Sequence, residues 1–396
     1  MKASSKTERL IEKVVRIRRS SRYEKLRERW RSYATSGTEG WFPILVGFDE
    51  SLWARVLKVN LSEYYQDPEK QLQTQLMMRV FWYEQMLDDS LPVGGGDYGW
   101  IYGPMSDVYV DFGVALVPSL FGIEPVYRPD SAVWIGGSMR RGGESVIRSI
   151  QDMDGLSFPD FYKDGLMPKA YEFYERFNKI LNGRLTVGFP GWTRGPWGVA
   201  INLRGFNELY ADVIRQPELV HRLMNFVTEC RIQYTKHAAN TFGLEISKAI
   251  MANDEVNGDY FSRKTFEEFI LPYERKIADF HGGTRYYHSC GNLSKILEPL
   301  MQLRISKLDI SAWTALSIAC EMVDRGVVLQ RRSLPTDVLV SSLKQIESKI
   351  EQELLLLNGR KFELVADGFG TGPLTKIQQW INAAKKTRRK RAAARQ

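Results

Sequence analysis

The chain is poor in the residues that carry most recognisable chemistry. It has four histidines and three cysteines in 396 residues. Three widely separated cysteines give no disulfide framework, which points to a reducing, cytoplasmic setting. No apolar run approaches the ~20 residues that cross a bilayer. The N-terminus has no apolar signal core, which argues against secretion. There is no P-loop and no G-x-G-x-x-G, so nothing supports nucleotide binding. What is present is the composition of a globular protein, 43% hydrophobic and 26% charged. The length suits one large barrel-like domain with extensions, or two ordinary domains.

The charge is unevenly placed. Residues 1–34 hold 12 Lys/Arg against 4 Asp/Glu, and residues 385–396 hold seven positive charges and no negative ones. The whole chain is +8, so the body between these ends carries −7. Three regions follow: a basic helical extension (1–38), a main domain (39–384) and a basic tail (385–396) that reads as disordered. In the extension, Leu10, Val14, Ile17, Tyr23, Leu26 and Trp30 recur at helical intervals, the pattern of an amphipathic basic helix that packs across the body, with binding to a membrane surface or a nucleic acid as the alternatives.

Eight short apolar segments alternate with helical patterns: FPILVGFDE (42–50), LPVGGGDYG (91–99), LTVGFPGW (185–192), AIMANDE (249–255), TRYYHSCG (284–291), ISKLDIS (305–311), VVLQRRS (327–333) and FELVADGFG (362–370). Strand-then-helix repetition predicts a parallel sheet, and eight units match an α/β (β/α)8 TIM barrel. The interval between the second and third segments is too long for one helix, and VYRPDSAVWIGG within it reads as an inserted hairpin.

In such a barrel the C-terminal strand ends share one face, and that face carries the active site. The residues expected to converge there include Asp49, Glu50, Asp97, Asp254, Glu255, His288, Cys290, Asp309, Arg331 and Asp367. His288 and Cys290 are two residues apart, so on a strand they point the same way. An imidazole and a thiolate suit zinc. A histidine beside a buried structural thiol gives the same spacing. A third ligand would come from a carboxylate after a strand: Asp254, Glu255 or Asp367. In FPGWTRGPWG, Trp192 offers a flat face and Arg194 a guanidinium for an anionic group. In ADGFGTGP, Gly368 and Gly370 would let backbone N–H groups approach an anion.

The run GDYFSRKTFEEFILPY, followed by HSCGN, resembles the uroporphyrinogen decarboxylase superfamily, and the resemblance covers roughly residues 40–385. It implies a (β/α)8 barrel with a deep cleft at its mouth. It also implies one of two activities: cofactor-free decarboxylation of a tetrapyrrole, or zinc-dependent methyl transfer involving a corrinoid (cobalamin) protein. Decarboxylases carry an arginine-rich stretch after the first strand, where this chain reads VGFDESLWAR, and a histidine near the eighth, where it reads ADGFG. The methyltransferase branch has the H-x-C pair, matching His288 and Cys290. Its thiol-methylating members add a cysteine after the eighth strand, where Phe369 stands here.

The resemblance therefore implies a methyltransferase. Zinc would be held by His288, Cys290 and a carboxylate, Glu255 foremost. Asp254, Glu255, Asp367 and Arg194 would be catalytic. Asp49, Trp192, Tyr287, Asp309, Arg331, Gly368 and Gly370 would contact a small methylated substrate. A corrinoid partner protein is implied, with a homodimer open and no nucleic acid. The alternatives are a metal-free decarboxylase clamped by Arg194, Arg204 and Arg331, and a non-catalytic binding protein.

Overall fold

A computed structural model describes residues 4–36, 41–93, 106–135 and 145–393. Asp97, and with it most of the segment expected to form the second strand, lies outside them. Eight parallel strands run in chain order: β1 Ile44–Phe48, β2 Val108–Tyr109, β3 Val187–Gly188, β4 Ala249–Ala252, β5 Thr284–His288, β6 Ile305–Asp309, β7 Val328–Ser333 and β8 Phe362–Phe369. Six form one sheet in the order β1-β8-β7-β6-β5-β4. β2 and β3 pair with each other in parallel. An isolated parallel bridge from Arg194 to Ala252 joins the chain after β3 to β4. This is the strand succession of an α/β barrel, a curled parallel sheet with the two-stranded piece next to β4.

Among the described residues the second strand is Val108–Tyr109; of the segment expected to form a strand at 91–99, most lies outside the described residues and residues 91–93 carry none. The segment just before them does a different job. Asp89 N–H donates to the Ile44 carbonyl (2.9 Å). The carboxylates of Asp89 and Asp88 accept from the N–H groups of Ile44 and Val46, both at 3.0 Å. Buried backbone donors must find partners, and on this edge of β1 two aspartate side chains supply them. A short antiparallel pair, Pro125–Val126 with Trp134–Ile135, sits in the long β2–β3 connection.

Helices alternate with the strands, from Glu50–Leu57 to Leu374–Ala393. Among the described residues no helix is long and apolar enough to cross a membrane. Two helices precede β1: α1, Ser5–Arg18, and α2, Ser21–Ser36. α1 buries Ile11, Val14 and Ile17 against the body. α2 lies at the N-terminal ends of the strands: Trp30 Nε1 donates to the Asp89 carbonyl (2.8 Å) and Tyr33 OH to that of Phe362 (2.9 Å).

The basic tail is not disordered through its described length. Leu374–Ala393 is one helix, and its cations have partners. Arg388 is buried, donating to the Phe42 carbonyl (2.6 Å) and pairing with Asp89 (2.5 Å). Lys386 pairs with Glu347 (2.7 Å). The acidic body neutralises the run that, read alone, looks self-repelling.

Candidate active site

Strand parity decides which side chains face the barrel interior. On β5, Tyr286 and His288 point inward and Tyr287 points out. Lys307 and Asp309 on β6, Gln330 and Arg332 on β7, and Glu363 and Asp367 on β8 join the inward set through their contacts. Lower in the barrel, Lys307 pairs with Glu363 (2.6 Å), and Gln330 Nε2 donates to Glu363 (2.8 Å). The Tyr286 hydroxyl lies 2.8 Å from Gln330 Oε1 and 3.2 Å from Asp309 Oδ2.

Above this layer is His288, 1% exposed. Its Nδ1 lies 2.7 Å from Asp309 Oδ2, so the carboxylate accepts the ring proton there. Its Nε2 lies 2.8 Å from Asp254 Oδ1 and 3.2 Å from Cys290 Sγ, and Sγ lies 3.3 Å from the same Oδ1. Asp254 and Cys290 are exposed at the mouth. Arg332 donates to Asp309 and, at 2.6 Å, to Asp367. Ser311 N–H donates to Asp309 Oδ1 (2.9 Å), so both oxygens of this fully buried carboxylate are engaged.

The electrostatics follow from these contacts. Burial opposes ionisation of both Asp309 and His288, but their mutual attraction outweighs it, with Arg332 adding to the stabilisation of the Asp309 carboxylate and Asp254 to that of the His288 imidazolium. Asp309 is held well below the usual carboxylate range and His288 well above the usual imidazole range. Asp254 is likewise lowered: burial opposes its charge, and His288 and Arg194 outweigh that. Burial pushes the Cys290 thiol up, and the neighbouring His288 pulls it back in part. Near Asp367, burial and the Asp367 charge raise Asp49, while Arg332 opposes the shift. Glu50, the next residue, is pushed up to about 7, mainly by burial.

The other expected site residues fall in two groups. Asp49, Asp254, Asp367, His288 and Cys290 meet at the mouth. Asp309 sits directly behind His288, buried, where it orients the ring and has no surface for a substrate. Glu255, expected as the third metal ligand, instead ion-pairs with Arg194; the carboxylate beside His288 and Cys290 is that of Asp254. Tyr287 does not line the cleft: it is buried on the outer side of β5 and its hydroxyl donates to Glu274 (3.1 Å). Arg331 also points outward, to Glu353 (2.9 Å) and the Ser311 carbonyl (2.9 Å). Trp192 is buried, with Nε1 donating to the Arg194 carbonyl (3.1 Å) and its ring edge-on to Tyr234 and Phe121.

Nor is the glycine loop an anion cradle. Gly368 N–H donates to Asp367 Oδ1 (2.5 Å) and Gly370 N–H to the Gly368 carbonyl (3.0 Å), so both donors are taken. The arginine clamp fails similarly: Arg194 is held by Glu255, Arg204 by Asp212 (2.6 Å) and Arg331 by Glu353. Sequence reading missed Arg332, an arginine that does face the interior. Its neighbour Arg331 has the same side chain, and only the pairing register of β7 with β8, Gln330 opposite Glu363, separates the two.

The chain matches the family model described as uroporphyrinogen decarboxylase (URO-D) over residues 140–387, more than half its length. It belongs to the uroporphyrinogen decarboxylase family. Among curated proteins it is 23% identical over 239 residues to the methylated-thiol–coenzyme M methyltransferase of Methanosarcina mazei, covering 59% of this chain and 62% of that one. It is 21% identical over 206 residues to the uroporphyrinogen decarboxylase of Synechococcus sp., covering 49% and 56%. The chain thus spans about 60% of the length of these two relatives. Among solved structures, a methyltransferase from Methanosarcina mazei superposes with a TM-score of 0.61 at 16% identity, covering 87% of this chain and 94% of that one. This last likeness shows the fold.

Proposed function

We propose that this family member is a zinc-dependent methyltransferase, moving a methyl group between a small methylated substrate and a corrinoid protein. The observation that carries the reading is the convergence of Asp254, His288 and Cys290, whose ligand atoms lie within 4.8 Å of one another. The residues fit the ion. The three ligand atoms are 2.8, 3.2 and 3.3 Å apart, so a bound ion would need them to part by only a few tenths of an ångström. One carboxylate, one imidazole and one thiolate form a donor set zinc accepts, and Asp254 and Cys290 are exposed, so an ion held by the three would be reachable from the mouth. Zinc held there would supply Lewis acidity towards the sulfur or oxygen that carries or receives the methyl group.

The chain's own residues do the rest. Asp309 accepts a hydrogen bond from His288 Nδ1–H and fixes the ring, so that Nε2, once its proton is displaced by a bound metal, would present its lone pair beside Asp254 and Cys290. Arg332 compensates the buried charge of Asp309 and ties Asp367 to the same side of the mouth. Asp49 and Asp367 flank the opening on the β1 and β8 side, and Arg194 is fixed in its wall by Glu255. The likeness to the methylated-thiol–coenzyme M methyltransferase of Methanosarcina mazei supports the reaction class. The departures noted in the sequence, and the pairing of each candidate clamp arginine, weigh against decarboxylation.

The test is elemental analysis of the purified chain alongside methyl transfer to cob(I)alamin from a methylated thiol. The expected result is one zinc per chain, lost together with turnover in Cys290→Ala and His288→Ala. Undiminished turnover after exhaustive chelation would overturn the reading, and carbon dioxide release by the chelated protein would replace it with decarboxylation.

A further inference from the structure

The mouth does not account for the cations at the other end of the molecule. On α1, Lys6, Arg9, Lys13 and Arg16 are exposed at steps of three and four residues, which forms one stripe along a helix. The opposite face of that helix is buried through Ile11 and Val14. On α2, Arg22, Lys25 and Arg29 repeat the same spacing, all exposed, while Tyr23, Trp30 and Tyr33 are buried. Lys385 of the C-terminal helix donates to the Leu87 carbonyl, and Leu87 lines a small cavity together with Arg22, so the α2 stripe runs up to that helix. The anchors of α2, Asp89 beside Ile44 and Phe362 at the start of β8, lie at the N-terminal ends of the strands. That is the end away from Asp254 and Cys290.

From these stripes we infer that the N-terminal helices form an electrostatic docking face for an anionic lipid surface. The face has no wedge, because the apolar side of each helix is already used by the body. It exposes no aromatic ring on α1 or α2 on which a base could stack. Spread cations without a groove suit a flat, delocalised negative charge, and each contributes about 1 kcal/mol near such a surface. Docking by this face leaves the mouth turned to solution, so chemistry and attachment do not compete.

The experiment is co-sedimentation of the full chain with phosphatidylglycerol–phosphatidylcholine vesicles and with pure phosphatidylcholine vesicles at low and physiological salt. The expected result is binding to the anionic vesicles alone, weakened by salt. In Lys13→Gln/Arg16→Gln/Lys25→Gln/Arg29→Gln that binding falls by about 700-fold, four cations at the same per-charge figure. These side chains are exposed, and a thermal midpoint matching wild type shows that the variant folds. Salt-insensitive binding, equal binding to neutral vesicles, undiminished binding by the folded variant, or tighter binding to duplex DNA at equal salt would each overturn the inference. The outcome is independent of the zinc reading, because none of these residues lies at the mouth.

Discussion

Asp309→Asn separates a residue that holds the fold from one that prepares the site. Asp309 is fully buried and accepts from His288 Nδ1, from Arg332 and from Ser311 N–H. The amide is nearly isosteric and keeps one acceptor oxygen, so packing survives. Its charge does not survive, and two effects follow. Losing an outer partner of a metal-bound histidine typically costs 10–100-fold in metal affinity, or about 1.4–2.7 kcal/mol. Breaking a buried ion pair costs about 3–5 kcal/mol when the remaining charge is left alone. Arg332 keeps Asp367 at 2.6 Å, so the stability loss should fall at or below about 3 kcal/mol. Zinc affinity is read by competition with a chromophoric chelator, and stability by urea titration. Asp154→Asn serves as a control for a surface aspartate paired with Arg222. A well-folded Asp309→Asn protein with reduced stability and wild-type zinc affinity would refute the argument, because Asp309 would then be structural only.

Three further outcomes follow from named contacts. Glu274 is fully buried and pushed up to about 8, chiefly by burial. Above the unfolded value near 4.5 the native state holds this proton longer, so stability should fall as pH rises from about 5 through 8, by a few kcal/mol at most. Glu274→Gln should flatten that part of a thermal-midpoint profile, and an unchanged slope would count against the assignment. A Cβ at Gly47 would lie 2.4 Å from Asp367 Oδ1, so Gly47→Ala should displace Asp367 from Arg332 and lower turnover with the fold retained, checked by kinetics and circular dichroism. Arg388→Ala leaves Asp89 without its buried cation and should cost about 3–5 kcal/mol in urea unfolding; a loss under about 1 kcal/mol would mean that the tail helix only rests on the surface.

The parts of this molecule that were legible in its sequence are those governed by local periodicity, and the parts that were not depend on partners far along the chain. His288 and Cys290 could be placed on one side of a strand end because side chains alternate every two residues. The same rule applied to YYH would have turned Tyr287 away from the cleft, so assigning it by chemical type rather than parity was the avoidable error. Arg331 and Arg332 are different: VVLQRRS carries no clean alternation, and the register of β7 on β8 determines which guanidinium enters the barrel. Val108–Tyr109, at two residues, is too short for any periodicity to reveal. Asp254 and Glu255 are neighbours with equivalent chemistry, and the choice between them is made by Arg194, some sixty residues earlier. The C-terminal helix is the same case on a longer scale. Its cations look unsuited to a helix until Asp89, 299 residues upstream of Arg388, is brought beside them. The site is therefore a product of sheet assembly: β5, β6 and β7 must pair before His288, Asp309 and Arg332 can act on one another, β4 must meet β5 to bring Asp254, and β8 must meet β7 to bring Asp367. Arg388→Ala, which loosens β1 at the barrel floor and touches none of β4 to β7, should for that reason lower stability yet leave zinc binding by the folded protein unchanged in the same chelator competition.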